Sequence, residues 1–269
     1  AATHSSQPFL VAGAIGKTAQ ATKEAELARS KGYHAVLLGL AAMKDASEDE
    51  LIAHCRAVAE VMPVVGFYLQ TAVGGQLLPY SFWRRFAEIE NVVAIKMAPF
   101  NRYRTIDVVR AVVDARAEER ITLYTGNDDH IVADLLTRFT FTRDDQPVSV
   151  RIKGGLLGHW AVWTNKAVEL LNDIHERPNS RSASEWLELD ARVTDMNGVL
   201  FDVANNFAGC IAGIHEVLRR QGILEGIWCL NPDETLGPGQ AEELDRIIRA
   251  YPDMLDDDFV RANLERWLK

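Results

Sequence analysis

Six short apolar runs, each followed by a stretch with helical spacing, recur along the chain at intervals of about 27 residues. The runs are Phe9–Gly13, Ala35–Leu40, Pro63–Tyr68, Asn91–Lys96, Ile121–Thr125 and Val148–Lys153. Helical spacing follows in Lys17–Ser30, Ser47–Val61, Pro79–Glu88, Thr105–Ala117, His130–Thr137 and Ala161–His175. Ser47 with Glu50 three positions on is a capping box, and Leu51, Ile52, Cys55 and Val58 form the inward face behind it. Ile106, Val109, Val112 and Val113 mark the inward face of the fourth helix. The polar stretch Thr142–Pro147 reads as a surface loop. Strands that alternate with helices lie parallel, in a doubly wound sheet or a closed barrel. The even repeat and the absence of a Gly-x-Gly-x-x-Gly fingerprint favour the barrel. A closed (β/α)8 barrel has eight strands, and six runs are present here. The expected fold is therefore α/β, a TIM-type (β/α)8 barrel incomplete in this chain. Helical patterns at Ser184–Asn205, Ala208–Gln221, Gln240–Ala250 and Asp258–Leu268 follow it. Residues 1–175 would form the partial barrel and residues 176–269 a helical extension packed on it, together one structural domain.

The fourth run carries four apolar residues straight into Lys96. A run this apolar is expected to be buried on both faces, and desolvation at its end lowers the pKa of an ammonium group. A partly neutral lysine attacks carbonyl carbon. The plainer reading is a strand-end lysine whose stem is buried and whose head reaches water. Tyr68 ends the preceding run, 28 positions before Lys96. Consecutive strands of such a unit are neighbours, about 4.8 Å apart, so a phenol and an amine are expected to share one mouth. The phenol would shuttle protons while the amine forms an imine. The alternative for Tyr68 is a rim residue with its ring buried and its hydroxyl wet.

Composition narrows the partners. A net charge of −9 over 269 residues gives no reason to expect nucleic acid or an anionic membrane. Cys55, Cys210 and Cys229 are far apart and show no Cys-x-x-Cys spacing, which suits reduced core thiols and a cytoplasmic location. No apolar run is long enough to span a bilayer, and Ala1–Gln7 lacks the basic-then-apolar order of a signal peptide. The histidines show no metal-ligand spacing on a shared face.

Several stretches together resemble one family. They are Gly66-Phe67-Tyr68-Leu69-Gln70, Leu78-Pro79, Ile89–Lys96, Ala12-Gly13 with Thr18–Ala25, and Gly126-Asn127-Asp128-Asp129. The chain is similar in these to the dihydrodipicolinate synthase / N-acetylneuraminate lyase family, the Schiff-base-forming class I aldolases and lyases on a (β/α)8 barrel. The resemblance implies that Lys96 forms an imine with pyruvate or another 2-oxo acid and that Tyr68 relays protons. It implies that Gly126, Asn127, Asp128, Lys153, Gly154 and Gln70 contact substrate. It also implies that neither metal nor organic cofactor is needed, and that the protein is a homo-oligomer, a dimer or tetramer.

The departures from the family pattern matter as much. The paired threonines that hold the substrate carboxylate belong to the first two strand–helix units, which the six runs do not include. The activity of the chain as given is therefore expected to be impaired. Leu69–Gln76 contains no arginine for a second carboxylate, which argues against aspartate semialdehyde as substrate. Arg151–Trp160 is unusually charged for a strand-eight end, where Lys153 or His159 would meet a substrate anion or Lys153 would pair with Asp128 or Asp129. Two other readings stay open. One is a non-catalytic barrel relic that binds a ligand or regulates. The other is a nucleotide binder, because Gly13–Thr18 ends in Gly-Lys-Thr, although Val11 stands where a P-loop has its first glycine.

Overall fold

The computed structural model of the protein describes residues 8–155 and 158–269. Residues 1–7, where no signal peptide is expected, and the side chain of His159 lie outside the described residues. The chain divides into two compact units, one running to Tyr124 and including Arg138–Lys153, the other formed by Thr125–Thr137 and Gly154–Lys269. The division expected after residue 175 falls inside the second unit.

The first unit alternates as its hydrophobic pattern requires. In order come β1 (Val11–Ala14), α1 (Thr18–Ser30), β2 (Ala35–Leu38), α2 (Glu48–Ala59) and β3 (Val64–Leu69). Next are α3 (Tyr80–Ala87), β4 (Val92–Ala98), α4 (Arg102–Asp114) and β5 (Thr122–Thr125). β1 to β4 pair in parallel, with Val11 opposite Ala35, Val36 opposite Val64 and Phe67 opposite Lys96. Each strand lies beside the next in sequence. A doubly wound sheet would reverse that order at a switch point, and no reversal occurs, so the strand order matches a barrel wall.

α1, α2, α3 and α4 pack side by side in chain order. The Ser47–Glu50 capping box forms as expected, and Leu51, Ile52, Cys55 and Val58 are buried. Burial pushes the Cys55 thiol up to about 12. In α4 the buried face is Val108, Val109, Val112 and Val113, while Ile106 is exposed, a correction of about one residue in the phase of that helix. Under α3 the sheet meets an aromatic layer. The Tyr68 and Trp83 ring centroids are 5.1 Å apart. A Cβ on Gly66 would lie 2.6 Å from the Phe86 ring, so only glycine lets this strand approach α3 so closely.

Arg120 ties the start of β4 to the end of α3. Its guanidinium donates to the carbonyls of Ala87, Ile89, Glu90 and Val92. Those are the C-terminal carbonyls of one helix and the first turn into the next strand, groups that a helix end leaves without intrahelical partners.

The sixth apolar run behaves differently from its expected role. β6 (Arg138–Arg143) and β7 (Gln146–Arg151) form a separate antiparallel hairpin packed against α4. Of the stretch expected to be a loop, Thr142–Pro147, only Asp144-Asp145 lies outside the strands and forms the tight turn. Asp144 and Asp145 both adopt positive φ, 49° and 59°, the two-residue geometry that matches strand twist. Arg143 pairs with Glu118, and Arg116 with Asp144, fixing the turn to the end of α4. The first unit's sheet runs in the order β1-β2-β3-β4-β5, and β8 (Gly154–Gly155) is a two-residue strand of the second unit.

The second unit holds α5 (Ile131–Leu136), α6 (Thr164–Glu176), α7 (Ala183–Leu200), α8 (Cys210–Arg220), α9 (Gln240–Ala250) and α10 (Asp257–Trp267). Ser182 and Glu185 close a second capping box at the start of α7. Val162, Trp163, Met196, Leu200, Val217, Leu244 and Ile247 make its core. The amide of buried Gln240 donates to the carbonyls of Val199, Leu200 and Gly209, which end α7 and open α8. Gly213 has no room for a side chain there, since a Cβ would lie 2.3 Å from the Leu200 carbonyl oxygen.

Candidate functional site

β4 runs two residues beyond Lys96, to Ala98, so the lysine lies within the strand rather than at its end. It is half-buried, and its Nζ lies 4.5 Å from the centroid of the Phe67 ring, across the strand pairing that sets the two opposite each other. A cation on an aromatic face gains about 0.5–1 kcal/mol where it is partly exposed. Side chains alternate along a strand. Ala94, Lys96 and Ala98 therefore share a sheet face with Val65, Phe67 and Leu69. Ala35, Val65 and Ala94 form a small buried cluster on it, with Leu37 and Tyr124 packed against them. Tyr124 of β5 thus stands on the lysine's side of the sheet.

At the carboxyl ends of β1, β2 and β3 this face opens into a hollow of about 200 Å³. Phe67 is the wall it shares with Lys96. The loop after β3 turns back over it, with Gly75 donating to the Gln70 carbonyl at 3.0 Å. A Cβ on Gly75 would lie 1.9 Å from the Leu69 carbonyl oxygen, so this turn is open to glycine alone.

The expected pairing of Tyr68 with Lys96 is not what the structure presents. Tyr68 lies opposite Met97, one residue out of phase with the lysine, and points into the helical layer. It is 2% exposed. Its hydroxyl donates to the Leu78 carbonyl at 3.2 Å, and the Leu78 N–H approaches it at 3.4 Å. Burial raises the Tyr68 phenol above its usual range. The aromatic residue beside Lys96 is Phe67, which has no proton to relay.

The other expected contacts fall in several places. Gln70 follows β3 directly, and its backbone anchors the turn at Gly75. Lys153 is exposed and opens, with Arg138 and Arg151, onto a bowl at the amino-terminal end of β5, where its N–H donates to the Leu123 carbonyl at 2.9 Å. Lys96 lies toward the carboxyl end of its strand, so the two lysines serve different ends of the sheet. In the second unit, Gly126, Asn127 and Asp128 form a buried polar knot. Asn127 and Thr125 both donate to the Asp134 carboxylate, at 3.0 Å and 2.7 Å, and Asn197 donates to the Asp128 carbonyl at 2.8 Å. The Asn127 amide is thus spent on the protein's own carboxylate. Gly154 is buried in β8.

The Gly13–Thr18 loop does not present a phosphate cradle. The Ile15 N–H donates to the Glu24 carboxylate at 2.7 Å, which puts a negative charge where a nucleotide phosphate would have to lie. Among the described residues no group of three or more His, Cys, Asp or Glu could hold a metal ion, and no helix is long and apolar enough to cross a membrane. Phe67 and Tyr124 were not marked by sequence reasoning. The signal for Phe67 is positional, two residues from Val65 on its own strand, whereas β5 holds no inward alanine or valine to place Tyr124.

Comparison with known proteins gives these positions a context. Residues 9–140 match the dihydrodipicolinate synthetase family. The chain is similar to the dihydrodipicolinate synthase of Aquifex aeolicus, with 19% identity, a TM-score of 0.69, and coverage of 91% of this chain and 75% of that one. The Oceanobacillus iheyensis synthase gives 17% identity and a TM-score of 0.67, over 90% of this chain and 73% of that one. The chloride-inhibited Acinetobacter baumannii synthase, solved in complex with pyruvate, gives 18% identity and a TM-score of 0.66, over 89% and 73%. No curated protein matches the sequence. At these identities the structural likenesses establish the fold, and the sequence match establishes the lineage of the segment that carries Lys96. Over residues 9–140 the chain therefore belongs to the dihydrodipicolinate synthetase family.

Proposed function

We propose that the protein is a Schiff-base-forming aldolase or lyase acting on pyruvate or another 2-oxo acid, with Lys96 as the amine. The observation that carries this reading is the position of Lys96. It is half-buried on an apolar sheet face, beside a hollow at the carboxyl ends of the strands, where barrel enzymes place their chemistry. The pyruvate held by the Acinetobacter relative supports the same substrate class. The neutral amine adds to the keto carbon, and the adduct loses water to leave an imine. Once protonated, the imine nitrogen draws electrons from the adjacent bond and lets a carbon–carbon or carbon–oxygen bond form or break. Tyr124 offers a phenol on the lysine's face of the sheet, whereas Tyr68 lies on the other.

The test is reductive trapping. Borohydride added to the intact protein with pyruvate delivers hydride to the imine carbon and leaves a stable secondary amine, which peptide mass mapping locates. The expected label is on the peptide containing Lys96 and is lost in Lys96→Met. A label on another lysine, or none with pyruvate or any larger 2-oxo acid, overturns the reading. The orientation of Tyr68 favours one second reading, a protein that binds a 2-oxo acid as an imine without turning it over. Trapping at Lys96 with no product from any aldehyde acceptor distinguishes that case.

A further inference from the structure

The hollow beside Lys96 is larger than the methyl group of pyruvate requires. Its walls come from Leu37, Phe67 and Leu69 on the strands, and Gly13 leaves space where a side chain would otherwise stand. The polar side chain at its edge, Gln76, is already engaged, since its amide donates to the Leu40 carbonyl at 3.1 Å and pins the loop after β3 to the end of β2. A carboxylate or hydroxyl placed in this space would give up water for walls with little to offer in return, at a loss of about tenfold or more in occupancy. An apolar group would gain from the same transfer. The size is also informative. A cavity of about 150 Å³ lined by aliphatic and aromatic side chains holds benzene, and this one has about 200 Å³. The methyl group of pyruvate would leave most of it empty.

We propose that this hollow receives the side chain of the carbonyl substrate, and that the substrate is a 2-oxo acid bearing a branched aliphatic or phenyl group. Phe67 carries the connection. One face of its ring lies under the Lys96 Nζ, and the ring also lines the hollow. A 2-oxo acid joined to Lys96 at its keto carbon starts its side chain from an atom bonded to a nitrogen that lies 4.5 Å from that ring's centroid. The inference rests on the imine reading above and adds the class of substrate to it.

The experiment compares trapping at Lys96 in the intact protein with pyruvate, 4-methyl-2-oxopentanoate and phenylpyruvate. The concentration for half-maximal labelling is expected to be about tenfold lower, or better, for the two larger acids, as the burial of several further carbons implies. Gly13 lines the hollow and a Cβ there would meet nothing within 4 Å, so Gly13→Leu has open space at its root from which to occupy the hollow. That variant is expected to cut the preference for 4-methyl-2-oxopentanoate over pyruvate by about tenfold, the reverse of the burial gain. Leu37→Ala enlarges the same space and is expected to raise the preference for phenylpyruvate over 4-methyl-2-oxopentanoate. It serves as the check if Gly13→Leu does not fold. Labelling by pyruvate at equal or lower concentration than the larger acids overturns the substrate class and leaves the imine reading standing. So do preferences unmoved by both substitutions, as they would be if another part of the protein occupies the hollow. No label with any of the three acids overturns both.

Discussion

At the scale of single residues, the phase of β3 decides what stands next to Lys96. Val64–Leu69 is apolar throughout, and both faces of the strand are covered, so period-2 alternation is erased from the sequence. Spacing alone brings Tyr68 and Lys96 to adjacent strands, correctly, but does not say which of Phe67 and Tyr68 shares the lysine's face. The register does, since Phe67 lies opposite Lys96 and Tyr68 opposite Met97. The two candidate roles for Tyr68 separate cleanly. If it is a packing residue tied to Leu78, Tyr68→Phe removes hydrogen bonds to a buried backbone and costs about 1 kcal/mol of stability in urea unfolding. Trapping at Lys96 then stays within about twofold, less than the energy of one hydrogen bond. A loss of trapping beyond tenfold with unchanged stability would restore Tyr68 to the reaction. Lys96 itself was legible because a charge inside an apolar strand is costly and rare, whereas Tyr124 carried no comparable mark.

At the scale of elements, the five strands of the repeat and the four helices between them follow the hydrophobic pattern to within a few residues, as does the Ser47 capping box. The β6–β7 hairpin does not, and the cause is local. Its turn, Asp144-Asp145, lacks the glycine that usually signals a two-residue hairpin, and it adopts the left-handed region all the same. β8 is hidden for the opposite reason, being only Gly154–Gly155, residues that otherwise read as loop. The strain at the turn can be relieved. Asp145 has φ of 59°, and glycine takes that conformation at no steric cost. Asp145→Gly is expected to raise stability by about 0.5–1 kcal/mol, visible as a higher denaturant midpoint with unchanged slope. Asp144, which pairs with Arg116, is kept in that variant.

At the scale of the whole molecule, acid is the predicted weakness of both units. Hydrogen bonding to Ser81, with help from Arg85 against burial, holds Glu48 below its usual 4.5. Hydrogen bonding from Arg219 does the same for Glu216, and hydrogen bonding from Arg246 lowers Asp195 from its usual 3.8. A carboxylate lowered on folding contributes stability that is complete above its unfolded pKa and is lost as pH falls through the folded one. Stability is therefore expected to be level from pH 7 down to about 5.5 and to fall below about 4.5, where these groups begin to bind protons. Denaturant midpoints across that range test this, and Glu216→Gln is expected to flatten the acid limb. A midpoint that instead rises below pH 4.5 would contradict it. The Arg120 clasp has a consequence of another kind. The four carbonyls it gathers lie 28 to 33 positions earlier in the chain. Order at the root of the strand that bears Lys96 is thus borrowed from a residue made later, beyond the whole of α4. A ribosome-bound chain has β4 in hand before it has the means to fasten it, and the shortest fragment able to do so must extend through residue 120.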